Sequence, residues 1–366
     1  MVQRVWCRER GKSIKGTKYT VSIGLPVRNG QRYVAQAVES ILAQTFGDFE
    51  LIISDNASTD DTEEICRRYA AQDPRVRYYR QTHNVGGAAN FNRTFELATG
   101  RYFKWAAHDD LIEPSYLEKC VEVLEADRGV ILCQSLVVMG PDWGEPLETH
   151  NHAWWGTDRP RQSERFAARL ETWDCSDVFG VVRTDVLKTT PLLAEFLASD
   201  RTLLVELALR GRFGLVPEPL FLNRTHPERL SHFLHYQTPK QQLAWWSPAK
   251  AKAGRWAAVE YWRLYVTCLR LVLRLVPDRM ERLRCYGHLL HSLRLYRRWY
   301  HLALEPVIAV VPAAARIEGP LFRSPLFRIL RKIKRALGVG PRAVVADGLA
   351  GGSTSAVGSY ARTRPR

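Results

Sequence analysis

Phe49-Glu50-Leu51-Ile52-Ile53-Ser54-Asp55-Asn56-Ala57-Ser58-Thr59-Asp60-Asp61 is a strand-like apolar run that stops in an acidic cluster. A second such stop follows at Tyr102-Phe103-Lys104-Trp105-Ala106-Ala107-His108-Asp109-Asp110. Carboxylates at the C-terminal ends of neighbouring parallel strands point into the crevice where open α/β sheets bind ligands. Two such ends suit a nucleotide and a divalent metal, and hence chemistry on a nucleotide-activated substrate.

Strand-like and helix-like patterns alternate around these two stops. Val21–Leu25 is a short β-rich run closed by Pro26, with a turn at Asn29-Gly30. Tyr33–Gln44 has helical spacing, and Phe49–Ile53 is the second strand. Asp60–Ala71 reads as a helix with Ser58 or Thr59 as N-cap, and Val76–Tyr79 as the third strand. Gly87–Ala98 is a helix that Gly100 would stop, Arg101–Ala107 a strand, Pro114–Ala126 a helix and Val130–Val138 a fifth strand. This order predicts an α/β fold, a mostly parallel sheet flanked by helices. Beyond it, Pro141–Arg161 is a long loop of the kind that carries function. Glu164–Leu170 fits a short helix, Val178–Arg183 a strand and Asp200–Leu209 a helix. Phe213–Asn223 holds Pro217 and Pro219 and is expected at a sheet edge. Trp256–Leu275, Glu281–Tyr300 and Leu326–Leu337 are basic amphipathic helices, the second with Leu283, Tyr286, Leu290 and Leu293 on one side. The expected organisation is a basic arm over 1–18, an α/β domain over 19–240, a basic C-terminal helical extension over 250–338 and a disordered tail over 339–366.

With 46% apolar residues in 366 positions, the chain can bury a large core. The net charge of +15 is uneven: residues 21–240 carry −7 and residues 241–366 carry +17. An acidic body beside a basic tail suggests an anionic surface held near the working domain, a membrane before a nucleic acid, because the body repels phosphate. The seven cysteines form no CxxC pair, which argues against zinc ribbons and redox motifs and for a reducing compartment. Cys66, Cys120 and Cys133 lie in apolar patterns and read as core residues. The basic N-terminus lacks the apolar stretch of a signal peptide, and no apolar run is long enough to span a bilayer. A cytoplasmic protein, free or at the inner face of the membrane, is expected.

Four motifs in series resemble family 2 glycosyltransferases over about residues 20–235. Val21-Ser22-Ile23-Gly24-Leu25-Pro26-Val27-Arg28-Asn29-Gly30 resembles their opening strand and turn, and Ile53 to Asp60 their second strand end. Asn84-Val85-Gly86 through Asn90 resembles their helix entry, and His108-Asp109-Asp110 their DxD-type element, with His108 in the place of the first acidic residue. The resemblance implies a GT-A fold, a nucleotide-diphosphate sugar as donor, a divalent metal (Mn²⁺ or Mg²⁺) and an inverting transfer.

Each candidate residue has a functional and a structural reading. Pro26, Asn29 and Asp55 would contact the nucleotide, although Asp55 also suits an Asx-type turn. Asn84, Gly86 and Asn90 open a helix whose N-terminus attracts phosphate, or form a turn and cap. By resemblance Asp110 is a metal ligand and Asp109 a ribose or metal contact. Asp200, in Ala198-Ser199-Asp200-Arg201, matches the family's acidic residue before a late helix and is the candidate general base; an N-cap is its structural reading. Asp174 and Asp177 are reserve bases. Arg224 and His226, with Arg229, are placed to close on a diphosphate, and Trp154 and Trp155 to stack on a sugar. The expected reaction is sugar transfer to a hydroxyl of a cell-envelope glycan or a lipid-linked acceptor. For the basic helices, internal packing is expected over Trp256–Tyr300 and a membrane surface at Leu326–Leu337. Two rivals are a sugar nucleotidyltransferase, which releases pyrophosphate, and a non-catalytic scaffold, which tolerates loss of Asp110.

Overall fold

The computed structural model describes residues 18–141, 148–150, 156–172, 174–226, 239–252, 260–295 and 302. The expectations for residues 1–17, Trp154, Trp155, Arg229, Leu326–Leu337 and the 339–366 tail lie outside these residues.

β1 (Val21–Val27) and β2 (Phe49–Asp55) are buried at every position, as near-continuous apolar runs demand of strands covered on both faces. β3 (Val76–Arg80) and β4 (Tyr102–Trp105) run parallel to them, in register Val21↔Phe49, Val21↔Tyr102 and Leu51↔Val76. β5 (Leu111–Ile112), β6 (Val130–Gly140), β7 (Glu148–His150), β8 (Val181–Arg183) and β9 (Arg212–Arg224) complete a sheet of order β3-β2-β1-β4-β8-β6-β9-β5, with β7 beside β6. β8 is antiparallel to both β4 and β6, so β6 and its parallel neighbour β9 point the same way as β4. Six strands therefore end at one rim.

α1 (Val34–Leu42), α2 (Thr62–Gln72) and α4 (Tyr116–Ala126) cover one face, with Val34, Val38, Ile41, Cys66, Leu117, Cys120 and Leu124 in its core. α3 (Gly87–Glu96), α6 (Thr184–Leu187) and α7 (Ser199–Arg210) cover the other, around Phe95, Phe103, Trp105, Leu187, Leu204 and Leu207. α7 is buried all round because a further layer lies on its outer side. That layer is α5 (Gln162–Glu171), α10 (Glu260–Leu275) and α11 (Arg279–Leu295), which join Phe166, Leu170, Val205, Leu209, Leu264, Cys268, Val272, Cys285 and Leu289 in a third cluster. α8 (Pro239–Trp246) and α9 (Pro248–Lys252) precede it. Internal packing is thus what the described parts of Trp256–Tyr300 do, and Cys66, Cys120 and Cys133 are core residues as expected.

Some local expectations change. α2 begins at Thr62, and its N-cap position, Asp61, makes no side-chain cap bond; Ser58 and Thr59 bond Asn29 instead. α3 ends at Glu96, and Gly100 does not stop it. A Cβ at Gly100 would lie 2.5 Å from the Ser22 amide nitrogen, so close approach to β1 explains that glycine. β9 is not the last strand, since Leu111 and Ile112 of β5 pair with Leu222 and Phe221. Its prolines fall instead at an irregularity in the β6 ladder, between Ser135↔Val216 and Leu136↔Pro219, where a missing donor is tolerated. Of Val178–Arg183, Val178 and Phe179 belong to a 3₁₀ turn, Ser176–Phe179, and only Val181–Arg183 is strand. On α11 the buried residues are Cys285, Leu289 and Ser292, while Leu283 and Leu290 face out.

Candidate active site

The loops after β1 and β2 are zipped together by side chains. The Asn29 amide donates to Ser58 Oγ, and Asn29 Oδ1 accepts from the Thr59 amide, both at 2.9 Å. The Gly30 amide donates to Thr62 Oγ1 at 2.8 Å, and the Gln31 amide to Asp60 Oδ2 at 3.1 Å. Asn29 (φ 53) and Ala57 (φ 55) adopt left-handed backbone to allow this; Asn does so at little cost and Ala does not. Asp55 is fully buried at the centre of the zip. Its Oδ1 accepts from the Ser58 amide, an Asx turn, and its Oδ2 accepts from Tyr78 Oη at 2.6 Å. Pro26 lies on β1 past Gly24, the last residue paired with β4, where its absent N–H breaks no bond on that side.

The entry to α3 is fastened to the same loops. Asn56 Nδ2 donates to Asn84 Oδ1 (2.9 Å), the Val85 amide to Asn56 Oδ1 (2.8 Å) and the Gly86 amide to Asn84 Oδ1 (2.9 Å). Asn90 is buried and spends both ends of its amide on Ser54, at 2.7 and 2.8 Å. Gly86 has φ 92, and a Cβ there would lie 2.5 Å from Pro248 Cδ and 2.7 Å from the Trp246 carbonyl. The α8–α9 segment thus sits against the start of α3, a neighbour that the sequence pattern did not reveal.

The short β5–β9 pairing assembles the acidic part of the site. Its register carries Asp109 and Asp110 alongside the end of β9. Asp110 is buried, and its Oδ1 accepts from the Arg224 amide at 2.9 Å. Asp109 Oδ2 lies 3.0 Å from His226 Nε2, with His108 Nδ1 4.0 Å from its other oxygen. Burial pushes the Asp109 carboxyl up, but His108 and His226 outweigh it and hold it below the usual carboxylate range. Tyr33 packs its ring 4.2 Å from that of His226 and lies 5.2 Å from the Arg224 guanidinium, and Arg224 Nη1 donates to Gln36 Oε1 at 2.6 Å. Among the described residues, Arg224 Nε and His226 Nδ1 are buried with no hydrogen-bond partner. Tyr33 and Gln36 were not among the expected site residues; at the N-cap position of α1 and on its first turn they read as ordinary helix positions.

Asp200 belongs to the same rim. β8 is antiparallel to β4, so residues 174–180, just before β8, lie at the C-terminal end of β4. The Cys175 thiol there hydrogen-bonds the Asp200 carboxylate. Asp200 is the second residue of α7, not its N-cap, which is Ala198 in left-handed conformation (φ 58). Burial raises the Asp200 carboxyl above its ordinary range, against the Arg201 amide, the Cys175 thiol, Arg169 and Arg201, which pull it down. The reserve carboxylates have other partners: Asp174 Oδ1 accepts from the amide and hydroxyl of Ser176, and Asp177 forms a buried 2.8 Å ion pair with Arg169.

Among the described residues no three His, Cys, Asp or Glu side chains converge as a metal cage. A divalent cation held together with a diphosphate needs fewer protein ligands, because phosphate oxygens and waters complete its shell. The adjacent carboxylate oxygen of Asp109 and imidazole nitrogen of His226 fit that partial role.

Residues 22–190 match the model of glycosyl transferase family 2. The glycosyltransferase GlyG of Streptococcus pneumoniae serotype 4 is 34% identical over 113 residues, 31% of this chain and 38% of that protein. Chondroitin synthase of Escherichia coli is 38% identical over 107 residues, 29% of this chain and 16% of that protein. The chain therefore spans well under half the length of these curated relatives. Among solved structures, S. aureus TarS 1–349 in complex with UDP-GlcNAc aligns with TM-score 0.55 at 16% identity, over 75% of this chain and 72% of that one. A Pyrobaculum calidifontis mannosyltransferase in complex with GDP-Man and Mn²⁺ aligns with TM-score 0.50 at 15% identity, over 92% and 91%. These likenesses show the fold, which is that of GT-A glycosyltransferases.

Proposed function

We propose that this chain, whose residues 22–190 are a family 2 glycosyltransferase domain, moves a sugar from a nucleotide-diphosphate sugar to a hydroxyl of a cell-envelope glycan or lipid-linked acceptor. One observation carries the reading: Asp109, Arg224 and His226 meet at the rim where the parallel strands end, with Arg224 Nε and His226 Nδ1 buried and, among the described residues, unpaired. An unpaired buried polar atom is costly unless a ligand satisfies it, and a diphosphate offers the Arg224 Nε–H an acceptor and negative charge. The GDP-Man and Mn²⁺ bound to the archaeal neighbour and the UDP-GlcNAc bound to TarS support a donor of this class.

In this reading Pro26, Asn29, Asp55, Asn84, Gly86 and Asn90 shape the nucleotide side of the cleft. Asp55 and Asn90 do so by fixing the turns they bond, and Asn29 and Asn84 by locking the two loops together. Asp109 and His226, with Asp110, would hold a divalent cation. An imidazole nitrogen beside a carboxylate favours Mn²⁺ over Mg²⁺, which prefers an all-oxygen shell. When bound, the cation neutralises the diphosphate. Asp200 takes the proton from the acceptor hydroxyl. Its raised affinity for protons suits it to that task near neutral pH. The acceptor oxygen attacks the anomeric carbon from the face opposite the diphosphate, the glycosidic C–O bond breaks, and the nucleoside diphosphate leaves with the bonding pair. Arg224 and His226 stabilise that leaving charge. A single displacement inverts the anomeric centre.

The test is product release by purified protein over a panel of nucleotide sugars with Mn²⁺, Mg²⁺ or EDTA. Metal-dependent release of a nucleoside diphosphate from one donor supports the reading. Release of pyrophosphate from a sugar phosphate and a nucleoside triphosphate would make the chain a nucleotidyltransferase instead.

A further inference from the structure

We infer that the outer surface of α10 and α11 is a docking face for a bilayer of anionic phospholipid. Trp262, Leu269 and Leu273 recur at steps of seven and four, which places them on one stripe of α10. The residues turned the other way, Leu264, Tyr265, Cys268, Leu271 and Val272, are buried in the cluster shared with α5 and α7. On α11, Cys285, Leu289 and Ser292 turn inward while Met280, Leu283 and Leu290 face out. The six outward side chains are 40% to 67% exposed, and they are the described chain's large apolar residues at such exposure. Lone exposed leucines need no explanation, but six on two adjacent helices do. Among the described residues no helix is long and apolar enough to cross a membrane, so the surface suits lying on a bilayer rather than spanning it.

Charge selects the occupant. Residues 260–295 hold seven arginines against three acidic residues. Arg270 and Arg279 are exposed beside the apolar stripes. Residues 303–366 hold eleven Lys and Arg against three acidic residues, so their sequence offers this surface no net negative charge. A second copy paired symmetrically would bring the same arginines together. An anionic headgroup layer instead attracts each nearby arginine by about 1 kcal/mol and leaves the acyl boundary for the leucines and Trp262. Residues 21–240 carry −7 in all, so the basic helices rather than that part of the chain are drawn to such a surface.

This inference does not use the transferase reading, and its test needs no donor. The full chain is floated with vesicles of phosphatidylcholine alone or mixed with phosphatidylglycerol, and its mass in solution is measured by light scattering. The expected result is binding to the anionic vesicles only, weakened by salt. Leu273→Glu/Leu290→Glu, with unchanged circular dichroism, should lose binding by roughly tenfold or more. Arg270→Gln/Arg279→Gln should lessen the preference for phosphatidylglycerol. Equal flotation of both double variants and the parent would overturn the inference. So would an absence of binding to either vesicle, or a dimer that the leucine substitutions dissolve.

Discussion

At the scale of the residue, Asp200 and Lys104 pay for burial in opposite currencies of charge. Burial raises the Asp200 carboxyl, so its charged form destabilises the fold at pH values above the ordinary carboxylate range. Asp200→Asn should therefore melt higher than the parent at neutral pH, with the gap closing as pH falls below that range. The same substitution should lower kcat by about a thousandfold and leave donor binding intact. In the parent, turnover should fall with acid above the pH at which an ordinary aspartate protonates, because the base works only when deprotonated. Lys104 is fully buried on β4, with its ammonium on the Phe179 carbonyl and between the Tyr116 and Phe221 rings. Desolvation pushes its pKa down to about 8. An unfolded lysine titrates near 10.4, so the destabilisation is complete below pH 8 and vanishes as pH rises past the unfolded value. Lys104→Met should raise stability by as much as about 3 kcal/mol below pH 8, less what the lost ammonium contacts supply, and progressively less above it, as denaturant titrations across pH would show. Asp55 and Asp109 could be picked out from sequence because apolar runs stop beside them, and Asp200 because it heads a late helix where the family resemblance expects an acidic residue. Tyr33, Gln36 and Cys175 could not, because their meaning comes only from what chain folding lays against them.

At the scale of the element, legibility follows length and burial. β1 and β2 were readable because strands buried on both faces must be continuously apolar. β5, at two residues, and β7, at three, are too short to carry a pattern, yet β5 is what brings Asp109 to His226. The faces of α11 were misread because leucines lie on both its inner and outer sides. α5 is tied to the turn before β8 by the Arg169–Asp177 pair, both side chains almost wholly buried, and by Arg169 Nη2 donating to the Asp174 carbonyl. Removing one partner leaves a buried charge, so Asp177→Ala should cost about 3–5 kcal/mol in denaturant unfolding. The Arg169→Met/Asp177→Leu double variant should cost much less than Asp177→Ala. If the double variant is as unstable as the single one, the turn depends on more than the ion pair.

At the scale of the whole molecule, the sheet direction does the assembling. Residues separated by as much as two hundred positions, Asn29 and His226 among them, reach one rim because β1, β2, β4 and β9 all end there. The series of motifs made that convergence readable in advance, while the α8–α9 segment over Gly86 and the third layer of helices lay beyond it. Sugar, nucleotide and acceptor depend on side chains in loops, where no period constrains the residue. The central claim is that this rim binds a nucleotide-diphosphate sugar through Asp109 and His226, with Asp200 acting on the acceptor. Calorimetric titration with UDP- and GDP-sugars in Mn²⁺ tests it most directly, using the parent, Asp109→Asn and Asp200→Asn. The account predicts that one donor binds the parent and Asp200→Asn alike, and that Asp109→Asn or EDTA weakens it by roughly tenfold or more. Equal binding by the parent and Asp109→Asn, with and without metal, would contradict it.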